Sequence, residues 1–156
     1  MKQTNLLWSY IAGFLDADGS IYVRLKPNSS YKYGFQVSPS IIFFQKYTSE
    51  NYLNILQQRM NLGYLRYRKD GIVELTIGDR KSIKFLLKKT SKFLLLKKKQ
   101  AELMLRILNF KVHSAQDFLY LANLIDSFGE LNYSKKRSIN SKIVSAYLIQ
   151  KGLLTP

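Results

Sequence analysis

Two aspartates near the amino terminus are the first candidates for a chemical role. Asp16 and Asp18 flank Ala17, directly before Gly19, where a helical pattern gives way to alternating residues. Carboxylate oxygens are ligands that Mg²⁺ prefers, and the ion is commonly held by one or two carboxylates together with substrate phosphates. The chain has no cysteine, which excludes thiolate metal sites, disulfides and cysteine nucleophiles. No Ser-His-Asp arrangement is apparent, and we interpret the single histidine, His113, as a surface residue.

The charge of the chain indicates the kind of partner that such carboxylates would serve. Lysine and arginine number 25 against 10 acidic residues, which gives a formal net charge of +15. A surplus this large destabilises a compact fold through self-repulsion unless a polyanion relieves it, and nucleic acid is the favoured candidate. A membrane partner is not expected, because the basic residues are spread along the chain and no apolar run approaches the roughly 20 residues that span a bilayer.

Hydrophobic periodicity predicts the elements that position these groups. A first helix is expected over residues 4–16, with Gly19 as the residue that stops the helical pattern. A strand follows over residues 20–28. A second strand runs through Phe44, with Pro39 at an edge or a bulge because proline cannot donate to a ladder. A helix over residues 48–61 and two strands joined by a turn at residues 69–71 come next. Further helices are expected over residues 80–89, 97–110, 114–131 and 138–150.

This order predicts an α+β fold in which helices cover one face of a single four-stranded antiparallel sheet, all within one domain of residues 1–156. The other face would be polar. Its members are of the types that contact base edges, although an ordinary solvated face would also be polar. A strand of nine residues spans about 30 Å, close to about nine base pairs. The expected face comprises Tyr22, Arg24, Lys26, Gln36, Ser38, Ser40, Arg66, Arg68, Glu74 and Thr76.

The segment from Tyr10 to Gly19, Tyr-Ile-Ala-Gly-Phe-Leu-Asp-Ala-Asp-Gly, closely resembles the LAGLIDADG motif of homing endonucleases and intron maturases. The match is full over the last four residues and includes Ala12 and Gly13 at the start. Further segments resemble the single-motif, homodimeric branch of this family: Lys26-Pro27-Asn28, Tyr31-Lys32, Gln45-Lys46, Gly63-Tyr64 and residues 97–101. The resemblance covers residues 10–110 well and the carboxyl-terminal helices more loosely, and it implies the αββαββα core of that family with extra carboxyl-terminal helices.

Small residues in the motif fit a close helix pairing. Gly13 and Ala17 lie four apart, as do Ala12 and Asp16, so each pair shares a side of the first helix. Small side chains let two helices approach closely. A homodimer formed through Ala12, Gly13, Asp16 and Ala17 would bring two Asp18 side chains together at the helix ends.

The resemblance also implies individual roles. Asp18 would be the metal ligand, with the backbone oxygen of Ala17 beside it, while Gln45 and Lys97 would be catalytic and order solvent around the scissile phosphate. The implied ion is Mg²⁺, with Mn²⁺ or Ca²⁺ able to replace it in binding, and no small-molecule cofactor is implied. Phosphate and loop contacts are expected from Lys98 and from a basic turn before the last helix. The remaining expected DNA contacts are Asn28, Ser30, Tyr31, Lys135, Lys136 and Arg137.

One departure from the family pattern leaves the activity open at this level. Where an arginine is expected shortly after Gln45, the chain has Thr48-Ser49-Glu50. Either Lys46 takes over part of that electrostatic work or activity is weakened. The resemblance implies a double-stranded DNA endonuclease that makes a staggered break in a long pseudo-palindromic target and serves intron homing. Separately, the usage of lysine, asparagine, isoleucine and tyrosine suggests an AT-rich genome, so we expect the protein in an organelle, a mitochondrion or a chloroplast. An intron RNA maturase and an inactive DNA-binding protein are the alternatives on the same fold.

Overall fold

The computed structural model describes residues 2–132 and 137–156, with side chains from Asn5 onward. Two compact units make up the chain. Unit 1 contains residues 1–21 and 39–102, and unit 2 contains residues 22–38 and 103–156. Each unit is assembled from separate stretches of sequence, because the chain leaves unit 1 within the first strand and re-enters it within the second. The single domain expected from the sequence stays a prediction.

The four-stranded antiparallel sheet and the α+β class are confirmed. The strands are β1 (Gly19–Pro27), β2 (Phe35–Lys46), β3 (Tyr64–Tyr67) and β4 (Ile72–Ile77), in the spatial order β1-β2-β4-β3. The helices are α1 (Lys2–Asp18), α2 (Glu50–Met60), α3 (Arg80–Thr90), α4 (Lys98–Asn109), α5 (Ala115–Asp126), α6 (Phe128–Leu131) and α7 (Ser141–Gln150), and a short 3₁₀ turn covers Tyr47–Ser49. In the described part of the chain, no helix has the length and apolarity that crossing a membrane requires.

Unit 1 buries one side of α1 against β2 and α3. Ile11 and Leu15 of the helix and Phe43 of β2 are fully buried. Successive strand residues point to opposite faces, so Ile41 and Phe43 enter this core while their neighbours do not. The ring of Phe14 lies 5.5 Å from that of Phe43, and Trp8 packs edge-on against Phe85 of α3.

Unit 2 is held together by aromatic residues at the end of the β1–β2 hairpin. Tyr33 stacks on Phe118 of α5 with ring centroids 5.2 Å apart, and Phe35 meets Tyr147 of α7 edge-on at 5.1 Å. Gly34 between them has a φ of +77°, and a Cβ there would overlap the Tyr147 ring. Glycine satisfies both demands, since it alone combines a left-handed backbone with no side chain.

The structure moves several expected boundaries. α1 continues to Asp18 and β2 to Lys46, so Gln45 lies inside a strand. The helix expected over residues 114–131 is broken at Ser127 into α5 and α6. Pro39 is not on an edge strand: β2 has a neighbour on each side, but the ladder with β4 begins at Ile41, beyond the missing N–H.

Candidate active site and nucleic-acid interface

The carboxyl-terminal end of α1 brings two of the predicted catalytic residues together. Asp18 is the last residue of the helix and is exposed, and the Gln45 amide donates to its Oδ2 at 3.3 Å. The two residues are 27 positions apart in sequence, so β2 has to return to the end of α1 for this contact to form. Gly19 allows the chain to turn directly into β1, because a Cβ there would lie 2.5 Å from the Leu15 side chain.

Asp16 anchors the segment that leads into α4. Its carboxylate accepts the backbone N–H groups of Leu95 at 2.7 Å, Leu96 at 3.2 Å and Lys97 at 2.9 Å. Hydrogen bonds to a charged acceptor are among the stronger ones in proteins. The carboxylate therefore acts within its own chain and fixes the position of Lys97 beside the end of α1.

Lys97 completes the group of predicted catalytic residues. Its Nζ donates to the backbone oxygen of Asp16. Partial burial lowers the pKa of Lys97, and the nearby charges of Asp16 and Asp18 oppose that shift without cancelling it. Burial disfavours the charged form of an amine, whereas a neighbouring carboxylate favours it. Asp18, Gln45 and Lys97 thus form one polar cluster, which we call the α1-end cluster.

The α1-end cluster fits a divalent cation in its donor chemistry. The exposed Asp18 carboxylate has about four lone-pair positions and engages the neutral Gln45 amide, so capacity for a hard cation remains. Within the described residues, no three His, Asp or Glu side chains are grouped as metal ligands. The exposed Asp18 carboxylate is accordingly the acidic group left available at this point, and a contribution from the adjacent Ala17 carbonyl stays a prediction.

An exposed stripe runs along α1 on the side away from its core. It consists of Leu6, Tyr10, Gly13 and Ala17, at helical spacings of four, three and four. Leu6 is 68% exposed and Tyr10 is 60% exposed, and nothing lies within 4 Å of a Cβ built on Gly13.

Two residues expected in the dimer contact do not lie on this stripe. Ala12 has no exposed surface, so the expectation that it contacts a partner is wrong, because tertiary packing places it in the core of its own chain. Asp16 sits on the flank of the helix and its carboxylate is occupied by backbone N–H groups. Gly13 and Ala17 are exposed as expected, and their contact with a partner stays a prediction.

The polar face of unit 1 is defined by the pairing of β2, β4 and β3. The register aligns Phe44 with Glu74 and Glu74 with Arg66, and it aligns Ile42 with Thr76 and Thr76 with Tyr64. Sequence reasoning missed the apolar and aromatic members of these rows. The signal was available, since residues two apart share a strand face. Half-exposed Ile42 and Phe44 and the exposed Tyr64 lie among predicted base contacts, and apolar groups contact thymine methyls.

The same alternation bears on the arginine that the chain lacks. Gln45 shares a face with buried Phe43, whereas Lys46 lies on the opposite face with Phe44 and is exposed. Where the family pattern has arginine, the chain forms the 3₁₀ turn Tyr47–Ser49. Lys46 therefore extends the polar face rather than the α1-end cluster.

Glu74 is buried between Arg66 and Arg68. We call this group of two arginines and their shared carboxylate the arginine pair. The residue is 4% exposed, its Oε2 accepts from Arg66 at 3.3 Å and its Oε1 accepts from Arg68 at 3.2 Å. Arg68 also pairs with Asp70. Both oxygens of Glu74 are engaged within the chain, so the carboxylate holds the Arg66 and Arg68 side chains in place. A direct contact of Glu74 with cytosine stays a prediction.

The polar side of β1 in unit 2 carries exposed cations. Arg24 and Lys26 form no ion pair with any other described residue, while Tyr22 is half-exposed. Arg137, expected in a basic turn that contacts phosphate, is half-buried: its guanidinium donates to the Val23 carbonyl at 3.0 Å and lies 5.3 Å from the Tyr22 ring. Burial lowers the pKa of Arg137, although the group stays charged at any working pH. Arg137 braces β1, and a phosphate contact by it stays a prediction.

The β1–β2 turn presents the remaining predicted contacts of unit 2. Asn28 donates to Gln36 at 3.4 Å, and its Oδ1 accepts the backbone N–H of Ser30. Ser30 and Tyr31 are exposed, and Gln36 and Ser38 are half-exposed.

The other predicted positions are distributed as follows. Ser40 and Thr76 are half-exposed, although the Thr76 hydroxyl oxygen is covered and lacks a partner among the described residues. Lys98 is exposed at the start of α4. Lys135 and Lys136 lie outside the described residues. His113 is exposed, as expected.

Comparison with known proteins gives concordant matches. The sequence profile of the LAGLIDADG endonuclease family matches residues 11–106. The DNA endonuclease I-CreI of Chlamydomonas reinhardtii is 36% identical over 143 residues, covering 89% of this chain and 86% of the relative. The DNA endonuclease I-CvuI of Chlorella vulgaris is 33% identical over 159 residues, covering 97% and 98%.

The fold matches a solved member of the same group. A crystal structure of I-CvuI with the I-CreI target in the presence of Mg²⁺, in which the DNA is not cleaved, has a TM-score of 0.93 and 30% identity, covering 99% of this chain and 100% of that one. A second structure holds I-CvuI with its own target in the presence of Ca²⁺, also at a TM-score of 0.93.

Proposed function

This chain belongs to the LAGLIDADG endonuclease family, and from that premise we propose that it is a site-specific DNA endonuclease that depends on a divalent metal ion. The observation that carries the proposal is the α1-end cluster. Asp18 of α1, Gln45 of β2 and Lys97 of the segment that leads into α4 meet at one end of α1. A protein that only bound nucleic acid would have no need to keep an exposed carboxylate where phosphates must approach.

Each member of the cluster has a defined task at the phosphate. Asp18 would hold Mg²⁺ together with the Ala17 carbonyl, and the ion, when bound, supplies activation of water and stabilisation of charge on the attacking and leaving oxygens. The Gln45 amide orients the Asp18 carboxylate. Lys97 places a fixed positive charge beside it, where charge develops on the phosphate. Asp16 holds Lys97 there through the backbone.

The active form is a homodimer in this proposal. One chain offers Asp18 and the Ala17 carbonyl as ligands, and Mg²⁺ favours six oxygen ligands with several waters. Pairing two copies along the exposed α1 stripe would bring two α1-end clusters together. The stripe supports this arrangement, since Leu6 and Tyr10 are large, apolar and exposed while Gly13 and Ala17 permit close approach.

The substrate is a long, pseudo-palindromic DNA duplex. The net charge of +15 favours a polyanion. The two polar faces carry arginine, lysine, glutamine and apolar side chains on extended strands, which suits major-groove contacts. A strand of nine residues such as β1 spans about nine base pairs. The relatives I-CreI and I-CvuI are DNA endonucleases, and we propose by analogy a staggered break with 3′ overhangs that serves intron homing.

The decisive test is cleavage of an intronless target. The exon-junction duplex of the encoding locus is incubated with the protein and Mg²⁺, beside an Asp18→Asn control that preserves shape but removes the charge. Cleavage by the parent protein alone is the expected result, with no product from Asp18→Asn or in the presence of a chelator. Tight binding without cleavage by either protein would overturn the proposal, and preferential binding of the intron RNA would favour a maturase instead.

A further inference from the structure

We propose that Tyr47 contacts the DNA backbone beside the scissile phosphate, and that Tyr67 and Glu50 hold its ring in position. The inference rests on the endonuclease function proposed above and adds a substrate contact to it. It assigns a role to residues in and around the 3₁₀ turn that stands where the family pattern has arginine.

Tyr47 and Tyr67, which we call the tyrosine pair, lie on the same face of the sheet as Gln45. The register aligns Gln45 with Val73 of β4 and Val73 with Tyr67 of β3, and directly opposed residues share a face. Tyr47 follows Gln45 by two positions, so it continues that face about 7 Å farther along the chain. The Tyr47 backbone N–H donates to the Gly71 carbonyl at 2.8 Å and thereby extends the ladder. The tyrosine pair therefore borders the α1-end cluster on the side of Gln45.

The tyrosine pair is exposed and yet held in place. Tyr47 and Tyr67 are 58% and 56% exposed, and their rings meet edge to face with centroids 6.0 Å apart. The Glu50 carboxylate interacts with the Tyr67 hydroxyl, and the pKa of Tyr67 is raised by desolvation and then by that carboxylate. The Tyr67 hydroxyl consequently stays protonated and engaged with Glu50. One ring is thus fixed by a carboxylate, and it supports the other ring.

The hydroxyl of Tyr47 is the group that this arrangement leaves open. No described residue forms a hydrogen bond with it. Since Gln45 contacts Asp18, Tyr47 lies about 7 Å along the chain from the residue beside the proposed metal ligand. Successive phosphates of a DNA strand are separated by a similar distance. A phosphate that reaches Asp18 therefore brings its neighbour within reach of Tyr47.

Tyrosine suits a contact of this kind. Tyrosine hydroxyls are among the groups that bind phosphate oxygens and set the register of a protein on a duplex. A neutral phenol positions a phosphate without supplying charge, whereas an arginine supplies both position and charge. The tyrosine pair accordingly replaces the positioning part of the work of the missing arginine. The negative charge of Glu50 remains directed at Tyr67 rather than at the DNA.

Removal of a single hydroxyl tests the contact. Tyr47→Phe keeps the ring at an exposed position, so the fold is preserved, as thermal unfolding would verify. The Kd for the exon-junction duplex, measured in Ca²⁺ by fluorescence anisotropy, should rise about tenfold. The slope of log K against log salt should stay unchanged, because no cation is removed. Tyr52→Phe removes the same hydroxyl from an exposed tyrosine of α2 and should leave the Kd unchanged.

A scan of the DNA backbone identifies the contacted phosphate. One position at a time, in both half-sites, the phosphate is replaced by a methylphosphonate, which removes the charged oxygen acceptor. For the parent protein, replacement at the contacted position should raise the Kd about tenfold. For Tyr47→Phe, the same replacement should have no further effect, because both changes remove one interaction. The sensitive phosphate should lie next to the bond that is cleaved in Mg²⁺.

Tyr67 is tested as a positioning residue in the same scan. Tyr67→Leu removes the supporting ring and should abolish the Tyr47-dependent sensitivity to methylphosphonate. Tyr67→Phe keeps the ring and should retain most of that sensitivity. A merely structural role of Tyr67 would lower the thermal stability of the leucine variant and leave the sensitivity to methylphosphonate unchanged.

The outcomes separate this inference from the proposed function. An unchanged Kd in Tyr47→Phe, a full methylphosphonate penalty in that variant, or a sensitive phosphate remote from the cut would each overturn the Tyr47 contact. A parent that binds the duplex, shows the Tyr47-dependent phosphate and leaves the DNA uncut in Mg²⁺ refutes the endonuclease and supports the backbone contact. A parent that binds no duplex refutes both.

Discussion

The end of α1 and the arginine pair both place carboxylates beside basic side chains, but the carboxylates have different functions in the two regions. At the end of α1, Asp16 is saturated by backbone N–H groups and Asp18 is exposed, with a neutral amide beside it. In the arginine pair, Glu74 is buried and each of its oxygens accepts from a different arginine.

The difference shows that the partner of a carboxylate decides its function. Backbone donors make Asp16 a structural anchor, guanidinium groups make Glu74 a holder of side chains, and the weak amide contact leaves Asp18 available to a metal ion. The local charge differs in the same way. Glu74 partly neutralises Arg66 and Arg68 before DNA binds, whereas no ion pair neutralises Arg24 and Lys26 on β1 among the described residues.

The largest effect is expected from removing the anchor. Asp16→Ala deletes the acceptor for three backbone N–H groups and should lower the free energy of unfolding by about 2–4 kcal/mol, measured by urea denaturation. Asp16→Asn keeps one acceptor oxygen and should lose less. Equal, small losses in both variants would mean that Asp16 does not anchor the segment.

Lys97 gives a pH signature for the α1-end cluster. Its pKa is lowered by burial, so the ammonium is charged and active below that pKa and is lost at a lower pH than for an exposed lysine. The alkaline limb of kcat/KM should therefore fall early, and Lys97→Arg should move it to higher pH. Lys97→Ala should reduce kcat on the order of 10²-fold. An alkaline limb that is identical in the parent and the arginine variant would assign it to another group.

Substituting the paired Arg66 and the unpaired Arg24 should affect DNA affinity to a similar extent, but the salt dependence of DNA binding to different extents. Arg66→Ala and Arg24→Ala should each weaken specific binding by about 1–3 kcal/mol and relax preference at one base pair. The slope of log K against log salt should fall more for Arg24→Ala, because Arg24 has no carboxylate partner among the described residues, whereas Arg66 is paired with Glu74. Equal slope changes in fluorescence-anisotropy titrations would remove the distinction.

The smallest effect should come from Glu74→Gln. The amide keeps the shape and one acceptor but removes the charge that holds Arg66 and Arg68. Binding to unrelated duplexes should tighten by about threefold and become more salt-dependent, while discrimination between target and non-target DNA falls. Unchanged non-target affinity would indicate that the arginines are held by other means.

Local patterns predicted what depends on neighbours in sequence. The motif marked Asp18, and alternation along β1 assigned Arg24 and Lys26 to the exposed side. What escaped prediction depends on residues distant in sequence. Asp16 meets backbone groups 79 to 81 residues away, and no periodicity encodes such a partner. The resemblance suggested Gln45, but the structure was needed to place its amide against Asp18.

Pairing and burial account for the remaining differences. The pairing register of β3 and β4 places Glu74 between Arg66 and Arg68. The sequence predicts the turn between these strands but not their register. Helical spacing grouped Ala12 with Asp16, but packing of unit 1 decided that Ala12 faces the core. Arg137 was expected to contact phosphate from its place in a basic turn, and its hydrogen bond to the Val23 carbonyl could not be anticipated from local composition.

The interleaving of the two units has a consequence for synthesis on the ribosome. Every residue of unit 1 lies within the first 102, whereas the hairpin residues 22–38 belong with residues 103–156. Tyr33 and Phe35 emerge early but find Phe118 and Tyr147 only when nearly the whole chain has been made. Nascent chains therefore carry an unsatisfied aromatic hairpin for most of their translation, and premature termination before α7 would leave it as a target for chaperones and proteases.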